Sequence, residues 1–239
     1  MMLDLGSDII PFLNLAVSGD SPDVIENAQG IISIGFDPKY GYSQIGVNIK
    51  KAAQSDACLA TINSTETNID LLAKVVFTLD ATRWGDMLDI IASRTSKSKA
   101  EKRLVDITKT WNSEIDSVCK AFSQSKNNVV IVGPQALDSP QRHEILETLT
   151  RMKEKHSWKV VVAHPYTNLS GMLVMGAFPG IKPGEILNEG PSEKSISLKS
   201  DTINTDLKKR WKVVYLIGET LNDALPDCDF LIYQNALPS

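Results

Sequence analysis

Five short segments carry groups that could handle an anion or a proton. They are Gly35-Phe36-Asp37-Pro38, Asn63-Ser64-Thr65, Gly133-Pro134-Gln135, His164-Pro165 and Gly218-Glu219. Each follows an apolar run. A glycine at such a position lets the backbone approach a phosphate closely, and a helix beginning just after it favours negative charge. The amide of Asn63 could bond a base or a ribose. Asp37 and Glu219 oppose that chemistry, because a carboxylate repels phosphate. His164 is the histidine placed for acid–base work at this edge. His143 lies in a helical pattern beside Arg142 and Glu144 and reads as solvated. His156 falls at a helix end, where a cation is favoured. Cys58 and Cys119 fall in strand and helix patterns and read as core. Cys228 sits between acidic neighbours that disfavour a thiolate nucleophile.

Better-known signatures are missing from the sequence. There is no Gly-x-Gly-x-x-Gly after a strand, no phosphate loop ending Gly-Lys-Ser/Thr, and no Gly-x-Ser-x-Gly elbow. Three dispersed cysteines give no Cys₄ zinc or iron–sulfur site and no disulfide framework, which suits a reducing compartment. The net charge of −4 offers no electrostatic footprint for general nucleic-acid binding. There is no apolar run long enough to span a membrane and no leader-like start, so the expected location is cytoplasmic.

The elements that must position these segments are legible. Ile31–Gly35, Val129–Gly133 and Val213–Gly218 are apolar, β-branched runs ending in glycine. Such runs fit strands buried on both faces of a parallel sheet. Ala57–Asn63, Val75–Leu79, Trp158–His164 and Asp229–Asn235 are further strand candidates. Ser21-Pro22-Asp23 opens a helix to about Ala28, and Ser139-Pro140 opens another over His143–Lys155. Gln44–Gln54 and Ala81–Ala92 show helical spacing. The longest helix is expected from about Ser98 to Phe122, on the stripe Leu104, Ile107, Trp111, Ile115, Val118 and Phe122. This alternation predicts an α/β protein with mainly parallel, doubly wound sheets. The chain has 239 residues, and the polar stretch 123–128 suggests a boundary between two Rossmann-like lobes, 1–125 and 126–239. Residues 168–200, rich in glycine and proline, are expected as a long functional loop in the second lobe.

The same segments resemble a known family in their order and spacing. Asp23–Pro38 looks like the strand-and-turn segment "I-E-N-A-D-v-I-l-v-i-G-s-N-P" of the molybdopterin oxidoreductases. Ile49–Ala52 followed by Ala57–Asn63 resembles its continuation. Asn168–Gly171 with Met175–Gly180, then Val214–Glu219, then Asp229–Asn235, resemble three later segments. The family includes formate dehydrogenases and the large G subunit of NADH-quinone oxidoreductase (respiratory complex I). The resemblance implies two Rossmann-like lobes of the formate dehydrogenase middle-domain type. It also implies that Gly35 and Asp37 would lie by one half of a molybdopterin guanine dinucleotide. Asn63 would match the acidic residue that reads a guanine, Thr67 would be the surviving threonine of the same motif, and Gly133, Asn168, Gly171 and Gly218 would line the other half.

The departures from that pattern direct the functional expectation. The family's "D-P-R-x-x-T" is Asn63-Ser64-Thr65-Glu66-Thr67 here, without its acid, proline or arginine. The iron–sulfur lobe and the lobe that closes over the pterins have no counterpart. The expectation is a structural, non-catalytic part of a redox complex, partnered by its other subunits or domains. No catalytic or metal-binding residue is assigned, nucleic-acid binding and direct membrane insertion are not expected, and these cofactor positions are read as vestigial. No cofactor is expected unless the family site is retained, when it would be molybdopterin guanine dinucleotide; any activity would be that of an oxidoreductase. The alternatives are a nucleotide- or anion-binding module, or an excised piece of an active molybdopterin oxidoreductase.

Overall fold

The computed structural model describes residues 9–96, 105–164, 169–175, 210–217 and 227–234. Five parallel strands form its main sheet: β1 (Gly30–Ile34), β2 (Cys58–Asn63), β3 (Val75–Thr78), β4 (Asn128–Val132) and β5 (Lys159–Val162). Their order is β3-β2-β1-β4-β5, so the sheet grows outward in both directions from β1. The expected α/β class with a parallel, Rossmann-like sheet is thus present. Crossover helices place apolar layers on both faces of such a sheet, which is why its strands need no polar alternation.

The pleat sorts each strand between those layers. Ile32, Ile34, Ile62, Val130 and Val160 face one core, with Trp84, Leu88, Ile115 and Phe122. The helices there are α1 (Ile9–Ser18), α3 (Trp84–Thr95), α4 (Val105–Gln124) and α6 (Arg142–His156). Ile31, Leu59, Val129, Ile131 and Val161 face the other core, with Ile25, Ile45 and Ile49. That side is covered by α2 (Ser43–Gln54) and by a short 3₁₀ turn, Pro22–Ile25. Two further short helices, α5 (Pro134–Leu137) and α7 (Leu169–Val174), follow β4 and β5.

Three sequence expectations change on this scaffold. The helix expected from Ser21 to Ala28 is that single 3₁₀ turn. Ser21 does accept from the Asp23 N–H, but Gln29 and Gly30 already donate to Asn127 O, so strand pairing begins before a second turn can form. The long helix runs from Val105 among the described residues, and Trp111 interrupts its helical dihedrals while stacking edge-on against Phe77. The proposed boundary at residue 125 falls inside the sheet. β4 pairs with β1 from Gly30↔Asn128 to Ile34↔Val132, because a central strand needs a partner on each side. The polar stretch is only the turn that delivers β4; its Lys126 N–H donates to Gln29 Oε1.

A second, separate sheet holds β6 (Trp211–Ile217) and β7 (Cys228–Gln234), paired in parallel. Of the expected long loop, Leu169–Val174 is helical, and the rest apart from Met175 lies outside the described residues.

Candidate functional site

In open parallel sheets ligands bind beyond the carboxyl ends of the strands, near the point where the strand order reverses. Here that point lies between β1 and β4. The sequence places Gly35 and Gly133 there, and the structure presses them together. A Cβ on Gly133 would stand 1.9 Å from Gly35 O and 2.6 Å from Phe36 Cα. Gly35 has φ +56°, in the left-handed region, and a Cβ there would meet Ala136 N at 2.3 Å. Both glycines are therefore required by the approach of one loop to the other. Their N–H groups donate to the adjacent strands, Gly35 to Ile62 O and Gly133 to Ile34 O.

Phe36 fills the space beyond β1. Its side chain is fully buried and its ring lies against Tyr42. Its N–H donates to Asn63 Oδ1 at 3.1 Å, so the amide expected to read a base holds the protein's own backbone. Asn63 is itself buried, and its Nδ2 has no partner among the described residues. Asp37 accepts from Lys39 N–H at 2.9 Å and caps the 3₁₀ turn Pro38–Tyr40. Thr67 donates its backbone N–H to Asp70 Oδ2, while Thr61 Oγ1 donates to Asp70 Oδ1 at 2.6 Å. Asp70 thus ties the loop after β2 back to the strand. Gly171 lies in α7, and Asn168, Gly218 and Glu219 lie outside the described residues.

A cavity of about 450 Å³ lies at the outer edge of β5. His164 lines it with Asp20, Tyr42, Ile45 and Ser170. Burial pushes the Tyr42 hydroxyl pKa up, which keeps it a neutral hydrogen-bonding group. Asp20 is the residue that sequence reasoning missed. Its N–H donates to Val160 O at 2.8 Å, and its Oδ2 accepts from Val160 N–H at 2.9 Å. It imitates a neighbouring strand and closes half of the sheet's last edge. Lys159 Nζ stands 3.3 Å from the same carboxylate. Gln141 was equally invisible in the sequence: its Oε1 accepts from Gly85 and Asp86 N–H and caps α3 from across the fold. The residues after Gly19 and before α6 read as turns, and only packing shows what their side chains reach.

The other expected roles fall as follows. His143 is exposed, 3.4 Å from Glu147 in the next turn. Cys58 and Cys119 are buried, and burial pushes both thiols up. Among the described residues, His, Cys, Asp and Glu form no group of three that could hold a metal.

These features define an α/β protein with a Rossmann-like parallel sheet whose strand ends are packed with its own residues at the point between β1 and β4. Among the described residues, no helix is long and apolar enough to cross a membrane. No protein-family model matches the chain, and no curated protein does. Among solved structures it is similar to a chain of the formyltransferase/hydrolase complex (FhcABCD) from Methylorubrum extorquens, crystallised with methylofuran. The identity is 12% and the TM-score 0.52, over 91% of this chain and 62% of that one. The likeness shows the fold, and this chain spans less than two thirds of its neighbour's length. The neighbour belongs to a multi-subunit complex.

The resemblance to molybdopterin oxidoreductases is corrected by these comparisons. No family model supports it, and the structural likeness leads to a formyltransferase/hydrolase complex instead. The shared pattern, an apolar strand closed by glycine and followed by a helix, is common to parallel α/β sheets. Five repetitions of that pattern reproduce the order of many such proteins without common chemistry.

Proposed function

We propose that this chain is a non-catalytic, structural component of a multi-subunit assembly, of the formyl-transferring kind in which its structural neighbour is found. One observation carries the reading: the contact of Gly133 with Gly35, sealed by Phe36, fills the edge where such a sheet would hold a ligand. The polar groups nearest that edge serve the fold, with Asn63 on Phe36 N–H and Asp37 on Lys39 N–H. A nucleotide- or anion-binding role would need room for a phosphate where the Gly35 carbonyl and the Asp37 carboxylate stand.

The test is recovery of the tagged, full chain from its host under native conditions, followed by native mass spectrometry and a formyl-transfer assay. The expected result is a stable complex with other subunits that carry the activity, while the purified chain alone accelerates neither formyl transfer nor hydrolysis. A chain recovered without partners, or one that performs either reaction by itself, overturns the proposal.

A further inference from the structure

The β6–β7 ribbon contradicts the rule that parallel strands are covered on both faces. Paired residues of parallel strands point the same way, so Trp211, Val213, Tyr215, Phe230 and Ile232 share one face. That face carries no charge. Phe230 is 62% exposed, Val213 54% and Tyr215 53%. The opposite face carries Val214, Leu231 and Tyr233 with Lys212 and Asp229, and its apolar members are the less exposed set.

Among the described residues, one intramolecular cover is excluded. The natural extension of the main sheet would set β6 beside β5, but Asp20 already occupies that edge at Val160.

We infer that the uncharged face is a self-association surface, closed by the same face of a second copy of this chain. Large aromatic side chains expose about 150–250 Å² each when free. At the exposures observed, the five residues offer on the order of 500 Å², so two faces stacked about a two-fold axis bury on the order of 1,000 Å², the lower bound of a specific interface. Sheets pack face to face at about 10 Å, which suits interdigitated aromatic and β-branched side chains. A face without charge raises no like-charge penalty against its own copy. The charges stay on the opposite face, where Arg210 pairs with Asp229 at 2.7 Å, and within the uncharged face the Tyr215 hydroxyl donates to Gln234.

The experiment is sedimentation equilibrium of the full chain between about 1 and 100 μM, a range around the affinities expected of small interfaces. The average mass should rise from 26.2 kDa towards twice that value. Phe230→Lys should abolish the rise. An independent readout is Cys228, on the same face opposite Trp211 and partly accessible, whereas Cys58 and Cys119 are buried. Its rate of thiol labelling should fall several-fold across the concentration range in the natural chain and stay constant in Val213→Glu. A monomer throughout, mass growing past the dimer, or Cys228 labelling that ignores concentration each overturns the inference. Failure here would leave the proposed function standing, because recovery of the native heteromeric complex is read separately.

Discussion

The main sheet and the β6–β7 ribbon are written in the same residues and end in opposite environments. Val129-Val130-Ile131-Val132 is buried with helices on both sides, whereas Val213 and Tyr215 stand open. Both pairings are parallel, and both use β-branched runs. The difference lies in what surrounds them. β1 and β4 have two strand neighbours each and two helical layers; β6 has one strand neighbour. A β-branched run thus specifies a strand that must be covered, and it leaves open whether this chain or another supplies the cover.

Truncating a core aromatic should separate the regions most sharply. Phe77→Ala removes a fully buried ring that meets Trp111, and should cost about 3–5 kcal/mol in urea unfolding. Phe230→Ala should move the same transition by less than about 0.5 kcal/mol. Equal losses would show that ribbon and sheet unfold as one core, and would break the comparison.

The closed strand-end edge gives the next effect. Gly133→Ala should destabilise by about 3 kcal/mol, at the upper end of overpacking costs, because its Cβ would meet backbone rather than a movable side chain. Gly41→Ala, with nothing within 4 Å of the added methyl, should be silent in the same melt. Asn63→Ala should cost about 2 kcal/mol by stranding the buried Phe36 N–H, measured by denaturant titration. A neutral result there would mean that water reaches Phe36 and that the edge is more open than the packing indicates.

Smaller still is the alkaline response of the buried thiols. Cys58 and Cys119 are raised above 9.0 in the fold by burial, while unfolded thiols ionise near ordinary values. Above pH 9 the unfolded chain therefore holds fewer protons than the folded one, and stability falls as pH rises through that window. Cys58→Ala with Cys119→Ala should flatten this part of the pH profile in thermal melts, relative to the natural chain. The smallest effect belongs to Lys51→Ala, which removes an exposed pair with Glu26 and should change stability by no more than about 0.5 kcal/mol.

The fold was legible where periodicity speaks. The absence of polar alternation in Ile31–Ile34 and Val129–Val132 announced strands buried on both faces, and the stripe Ile107, Ile115, Val118 and Phe122 announced a helix against them. The candidate positions Gly35, Asn63 and Gly133 were correctly placed at strand ends, yet their roles were not legible. Asn63 could face a ligand or the Phe36 N–H, and nothing in its neighbours decides between them. The residue-125 boundary was misplaced for a related reason: composition shows where the chain is polar, but not that β4 returns to pair with β1.

By itself, then, the sequence determined a parallel α/β sheet, since long β-branched runs separated by amphipathic helices can bury their surface in few other ways. Only the tertiary structure decided that Gly35 and Gly133 meet, that Asp20 closes the edge at Val160, and that β6 and β7 stand uncovered. Those outcomes depend on contacts between segments distant in the chain. Local propensity and hydrophobic period fix what an element is, and they carry no information about which element it will touch.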